Sequence, residues 1–377
     1  MPFLLHDRDI ADHCLTTLRH LAAVGYRFAL GGRRNGTVNK GGMGIVMKKL
    51  ALLATALALV SGSAFAADLR VKAVKAPPPP AFDPWDFAFG AGITNDYIFR
   101  GITQSNHKPS VNVYFEPRYN VTKDFQLYVG LGGASIAFAN RAAAEIDAYG
   151  GARLTVGQFA FDVGAWGYLY PGGTCQYGGG ATTDFALVPL SAECQANTLL
   201  NFNVMKKDVS FFEVYGKVNY TFSDYFSMGG NVYYSPNFLN TGAEGTYASI
   251  VGKAIAPSAW FGASGVGMYA SGEFGRQWLG TSDSFYGVPA FPNGINYADY
   301  NTWNIGFGFT YKVFTLDFRY SDTNLSQGDC NAFTSDHTAT FNGSFTPINP
   351  SGVGSKWCGA AGIVKLSADL TAMTNLK

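Results

Sequence analysis

Ionisable residues in this chain recur on one side of alternating runs: Glu116 and Arg118, Asp147 and Arg153, Asp162, Glu213 and Lys217, Lys312, Asp317 and Arg319. An extended backbone sends successive side chains to opposite faces, so residues at even spacing share a face. Acids and bases gathered in this way have two chemistries open to them. They can pair across neighbouring strands and fill an interior. They can also set a transverse field that selects small hydrophilic solutes or ions.

The segments that carry these charges follow one rule from Trp85 onward. The clearest puts Phe212, Val214, Gly216, Val218, Tyr220 and Phe222 on one face and Glu213, Tyr215, Lys217, Asn219 and Thr221 on the other. About twelve such runs are expected, within a range of ten to fourteen. The first is expected from Trp85 to Gln104, and Pro117, which cannot donate a ladder hydrogen bond, is expected to mark a bulge or early strand end. Short turns such as Thr122-Lys123-Asp124, Gly157-Gln158 and Ser223-Asp224 alternate with long polar connections. That asymmetry fits an all-β antiparallel transmembrane barrel with its apolar face in lipid, tight turns on the periplasmic side and long loops outside.

Composition agrees. Hydrophobic residues make up 47% and charged ones 14%, yet no run of 18 apolar residues occurs, which excludes helical membrane spans. Aromatics at 15% and 46 glycines suit curved strands with aromatic rings at two lipid boundaries. Trp85, Trp166, Trp260, Trp278 and Trp303 are therefore read as interface anchors or lumen packing rather than a sugar track. A net charge of +1 without a basic cluster gives no reason to expect nucleic acid.

Ahead of the barrel, Lys48 and Lys49, the apolar Leu50 to Val60 and the small-residue site Ala64-Phe65-Ala66 have the three parts of a secretory signal. The expected organisation is an over-extended, unstructured leader at 1–46, a signal peptide at 47–66, a Pro-rich periplasmic tether at 67–84 and the barrel at 85–377. Export suits the cysteines. Cys175 with Cys194 and Cys330 with Cys358 would each close one Gly-, Ser- and Asn-rich loop as a disulfide, and no CxxC or His spacing suggests a metal.

The run Asn95-Asp96-Tyr97-Ile98-Phe99-Arg100-Gly101-Ile102-Thr103-Gln104-Ser105, followed by Lys108-Pro109, resembles the SDYxxRGxSQS-x-x-KP opening of the proteobacterial TorF-like porin family. Its shared positions are Asp96, Tyr97, Arg100, Gly101, Gln104, Ser105 and Pro109. Further matches run through Phe161-Asp162-Val163-Gly164, Tyr168-Leu169-Tyr170-Pro171, Phe212-Glu213-Val214-Tyr215, Tyr233-Tyr234-Ser235-Pro236 and Leu316 to Thr323. Ala67-Asp68-Leu69 to Pro80 is similar to the mature start of alphaproteobacterial outer-membrane proteins of the Omp25 type. The family resemblance implies an outer-membrane barrel with pore activity. It departs at the end, where such barrels carry an aromatic residue and this chain has Asn375-Leu376-Lys377.

Residues and resemblance together lead to an expected porin for passive diffusion of small polar solutes or ions. Its partners would be outer-membrane lipids, the barrel assembly machinery and such solutes, with a homo-oligomer also compatible and no cofactor or nucleic acid implied. The alternatives are a structural or adhesive surface barrel and, less favoured, a lipid-modifying enzyme. An enzyme needs a nucleophile beside a positioned base, and neither His107 nor His337 sits in a GxSxG or HExxH context. Asp96 and Arg100 are expected near the outer end of the first strand, either as an ion pair fixing the first loop or solvated at the rim.

Overall fold

The computed structural model describes residues 83–177 and 203–375. Twelve long strands carry the fold: β1 (Trp85–Thr94), β2 (Ser110–Asn120), β3 (Phe125–Ala134), β4 (Glu145–Val156), β5 (Phe159–Leu169), β6 (Phe211–Ser223), β7 (Phe226–Ser235), β8 (Gly245–Ile255), β9 (Val266–Leu279), β10 (Tyr300–Tyr311), β11 (Phe314–Thr323) and β12 (Ala361–Thr371). Each pairs antiparallel with its chain neighbours, and β12 pairs with β1 from Ala88 opposite Thr371 to Thr94 opposite Lys365. The sheet is a closed barrel, so no strand edge is left unpaired. Within the described residues no helix is long and apolar enough to cross a membrane.

Side-chain parity divides the barrel wall into a greasy exterior and a polar interior. Val129, Leu131, Ile250 and Ile305 face outward with 62, 61, 59 and 66% of their surface exposed, whereas Asp147, Glu213, Asn231 and Gln277 face inward and are buried. This is the reverse of a water-soluble sandwich, whose oily faces meet each other, and it is stable only where hydrocarbon wets the outside. Exposed rings gather at both rims: Trp85, Tyr119, Phe222, Tyr225 and Trp260 at the short-turn end, and Phe212, Tyr234, Trp278 and Tyr320 at the other. A charge on the outer face should therefore be costly. Ile305→Arg is expected to lower stability by about 2–4 kcal/mol, read as a shifted urea midpoint for the barrel refolded in lipid vesicles.

Two sequence expectations need correction here. The first strand stops at Thr94, well short of Gln104, and residues 95–109 form a loop that folds back into the barrel mouth. Its polar residues find partners inside the lumen and cap, so the chain leaves the ladder early. Pro117 makes no bulge. β2 keeps one register against β3 from Asn112 opposite Ala134 to Asn120 opposite Gln126, and only the pairs at Glu116 and Pro117 are missing. The recorded irregularity lies instead between Thr221 and Ser223, at the turn from β6 to β7.

Inward glycines receive inward tyrosines from the neighbouring strand. A Cβ on Gly130 would sit 2.2 Å from the Tyr149 ring, and one on Gly275 would sit 2.2 Å from the Tyr247 hydroxyl and 2.5 Å from its ring. Each ring thus lies flat across the strand beside it, filling lumen at a point where any side chain would collide.

Connections at the long-loop end pack into a cap of their own. Ile102, Phe138, Tyr170, Met205, Val209, Phe238, Tyr297, Phe333 and Trp357 form its apolar core. A short helix, α1 (Gln327–Thr334), starts at Ser326, whose side chain accepts from the Asp329 amide. It carries Cys330, which is bonded to Cys358. Cys194, the expected partner of Cys175, lies outside the described residues, as do the leader, the signal segment and the tether up to residue 82.

Candidate functional site

The first loop occupies the mouth of the lumen as a small hairpin. Ile98 pairs with Thr103 and Phe99 with Ile102. The two residues at its tip, Arg100 and Gly101, both have left-handed backbones, with φ of 49° and 81°. A two-residue turn of this hand matches the twist of its strands, and Gly at the second position carries no steric penalty. Close approach demands glycine as well, because a Cβ on Gly101 would sit 2.2 Å from Thr323 Cγ2 of β11.

The turn points Arg100 into the barrel wall. Its two terminal nitrogens donate to the two carboxylate oxygens of Glu213, each at 2.8 Å, and one also donates to Gln277 Oε1 at 3.1 Å. Tyr168 donates its hydroxyl to the same carboxylate at 3.2 Å. Aromatic rings surround the guanidinium: Tyr247 at 4.5 Å, Phe99 at 4.6 Å, Tyr233 at 4.9 Å and Phe238 at 5.8 Å from Cζ to ring centre. Glu213 is fully buried and the Arg100 side chain is 6% exposed. A bidentate pair shielded from water in this way fixes position as well as charge.

Asp96 anchors the base of the same loop. It accepts from Thr103 Oγ1 at 2.6 Å and from His107 Nδ1 at 2.7 Å, and at 3.1 Å it shares the Ser105 hydroxyl proton with the Lys108 carbonyl. Asp96 and Arg100 therefore neither pair with each other nor lie solvated at a rim. Removing the acceptor would strand the buried Thr103 hydroxyl and cut the tie to His107. Asp96→Ala is expected to cost about 2–3 kcal/mol of local stability, seen as faster amide exchange confined to residues 95–109.

The rest of the motif builds the loop's attachments. The Tyr97 hydroxyl donates to Glu145 at 2.6 Å, and Gln104 closes the loop through its amide to the Tyr97 carbonyl at 2.7 Å. Ser105 Oγ donates to the Lys108 carbonyl at 2.7 Å, while Pro109 is exposed at the approach to β2. Asn106 accepts from the Trp357 indole at 2.9 Å, which ties the loop to the cap.

Below the hairpin, a charged belt crosses the lumen. Glu116 accepts from Arg118 at 2.7 Å and from Arg153 at 2.8 Å. Arg153 also reaches Asp162 at 3.5 Å and lies 3.7 Å above the Tyr128 ring. Tyr128 donates to Asp162 at 2.5 Å and its hydroxyl meets that of Tyr215, whose ring carries Lys217 at 4.4 Å. On the opposite wall Arg319 pairs with Asp317 at 3.0 Å and donates to Asn304 at 2.6 Å. Asp147 sits higher and accepts from the Trp166 indole at 2.9 Å. Lys312 is the exception among the ten charged positions: it occupies the turn between β10 and β11 with φ of 53°, exposed, with its ammonium over Tyr311. Parity alone carried it one residue too far along the strand.

Several lumen residues had no place in the sequence reading. Glu145 shares the inward face of β4 with Asp147, so the period of two could have exposed it. Gln277 and Glu273 lie on β9, where glycines blur the alternation. The Asp96–His107 pair links residues on the two sides of the hairpin and has no local signature.

The two histidines among the described residues differ. His107 lines a pocket of about 420 Å3 with Leu325, Gln327, Ser355 and Lys356 at the cap. Its Nε2 faces the Lys356 backbone carbonyl at 3.2 Å. His337 packs edge-on against Trp357 at 5.6 Å, and burial holds its imidazole below the ordinary range. Among the described residues no group of three His, Cys, Asp or Glu side chains could hold a metal.

Residues 80–235 match the family described as "Bacterial protein of unknown function (Gcw_chp)". No curated protein matches. Among solved structures, an outer membrane channel from Pseudomonas putida F1 is similar at 10% identity, over 79% of this chain and 100% of that one, with a TM-score of 0.38. The loop-L8 deletion mutant of OmpT, an outer membrane protein of Vibrio cholerae, is similar at 10% identity over 76% and 98%, with a TM-score of 0.32. LpxR from Salmonella typhimurium is similar at 8% identity over 75% and 99%, with a TM-score of 0.35. The chain's own strand ladder is what establishes its architecture as a closed antiparallel barrel of twelve strands.

Proposed function

We propose that this chain is a bacterial outer-membrane porin for small polar solutes or ions, held shut at its outer end by the first loop. The short-turn end, where β1 begins and β12 ends, then faces the periplasm. The observation that carries the reading is the Arg100–Glu213 contact: the plug is fastened to a polar, ionisable lumen by reversible hydrogen bonds rather than a covalent link. The reading is of a non-enzymatic protein. His107 is oriented by Asp96, but its second nitrogen faces a backbone carbonyl instead of a hydroxyl nucleophile.

Planar-bilayer recording of the purified chain tests this. Discrete conductance steps that shrink as larger polar solutes are added support a pore. A barrel that stays electrically silent, including after removal of the Arg100 side chain, supports a structural surface barrel instead. That second reading has its own observation in its favour, the belt of Glu116, Arg118, Arg153, Asp162, Tyr128 and Tyr215 below the plug.

A further inference from the structure

Apart from Phe99, every group that holds Arg100 belongs to the barrel wall or the cap above it. Glu213 comes from β6, Tyr233 from β7, Tyr247 from β8, Gln277 from β9 and Phe238 from the connection after β7. If the hairpin withdraws, what remains is a buried carboxylate, an amide oxygen and three aromatic faces around one small space.

The remaining site is organised without help from the arginine. Gln277 Nε2 donates to the backbone carbonyls of Thr246 and Trp278, each at 3.2 Å, which leaves Oε1 as the group turned toward the site. Tyr168 steadies the Glu213 carboxylate from the other side at 3.2 Å. A carboxylate, a fixed acceptor and surrounding aromatic rings suit a planar cation with several N–H donors. An ammonium group could satisfy the charge but not the two parallel hydrogen bonds.

We propose that this cage is a recognition site for guanidinium-bearing solutes, and that the first loop occupies it in cis with Arg100 as a built-in competitor. The inference rests on the porin reading for how a solute reaches the cage from the long-loop end, and it names the class of solute that would displace the plug. The same contacts that shut the lumen would then select what opens it.

The test uses the full chain refolded in lipid vesicles with Arg100→Ala and methylguanidinium as probe, read by titration calorimetry and thermal melting. Methylguanidinium is expected to bind R100A once per barrel and raise its melting temperature. It should bind at least about tenfold more tightly than methylammonium, and about tenfold more tightly than it binds the double variant R100A/E213Q. Wild type, whose cage Arg100 occupies, should bind it more weakly than R100A, because the plug must first be displaced. If R100A does not fold alone, recovery of refolding yield by methylguanidinium but not by methylammonium is the same result. Equal affinity for the two cations, indifference to Glu213→Gln, failure of refolding with every additive, or equal binding by wild type would overturn the proposal. Bilayer recording separates the two readings: selective binding in a silent barrel leaves the cage and removes the pore, and conductance without selective binding does the reverse.

Discussion

Glu213→Ala is expected to lower the stability of the barrel by about 3–5 kcal/mol, the cost of leaving a buried charge without its partner. Arg100 has little recourse in that variant. Its side chain is 6% exposed, and among the described residues Gln277 Oε1 is the one other hydrogen-bond acceptor its guanidinium meets. The hairpin must then either keep an uncompensated cation among aromatic rings or leave the lumen, and leaving gives up the Tyr97–Glu145 and Trp357–Asn106 contacts as well. Glu213→Gln keeps the shape and one acceptor oxygen, so its loss should be smaller. Urea midpoints for both variants in vesicles, followed by tryptophan fluorescence, check the order. Equal and small losses would place the pair outside the folding free energy.

The second large effect is expected at the cap. Cys330 and Cys358 are separated by 28 positions, and both are buried in the apolar core of the loops. Opening a loop of this size removes about 3–4 kcal/mol of chain restriction. The double variant Cys330→Ser, Cys358→Ser should therefore raise amide exchange across residues 324–360 by about 100-fold or more, with the strand cores unchanged. The effect should also reach the first loop. Thr323 donates to the Cys358 carbonyl at 2.7 Å, and the neighbouring Trp357 holds Asn106 through its indole. Faster exchange at residues 95–109 in this variant would show that cap and plug share one support. Uniform loss through all twelve strands would show that the disulfide serves the barrel as a whole.

The barrel was legible because its signal is local. On β6, Phe212, Val214 and Val218 are exposed while Glu213 and Tyr215 are buried, as the alternation of residue types requires. Where glycine replaces the side chain that would declare a face, as on β9, the period of two loses contrast, and Glu273 and Gln277 went unread. The plug could not be read for another reason. Arg100 and Glu213 are 113 positions apart, and nothing in the motif distinguishes an arginine at the end of a strand from one at the tip of a returning hairpin. Gly101 carried the hint, since an Arg-Gly pair with positive φ at both positions makes a tight turn. Lys312 shows the converse error, a residue with the right parity whose strand had already ended. Tyrosines lying over facing glycines also escaped notice, because that pairing depends on register between strands rather than on either sequence alone.

A double-mutant cycle between Arg100 and Glu213 addresses the central claim most directly. If the first loop is fastened inside the lumen by this pair, Arg100→Ala and Glu213→Ala together should cost less than the sum of the two alone, with a coupling of about 1.5–3 kcal/mol. Additivity to within about 0.5 kcal/mol would mean that the two side chains do not meet in the folded barrel, and the latched lumen would have to be abandoned.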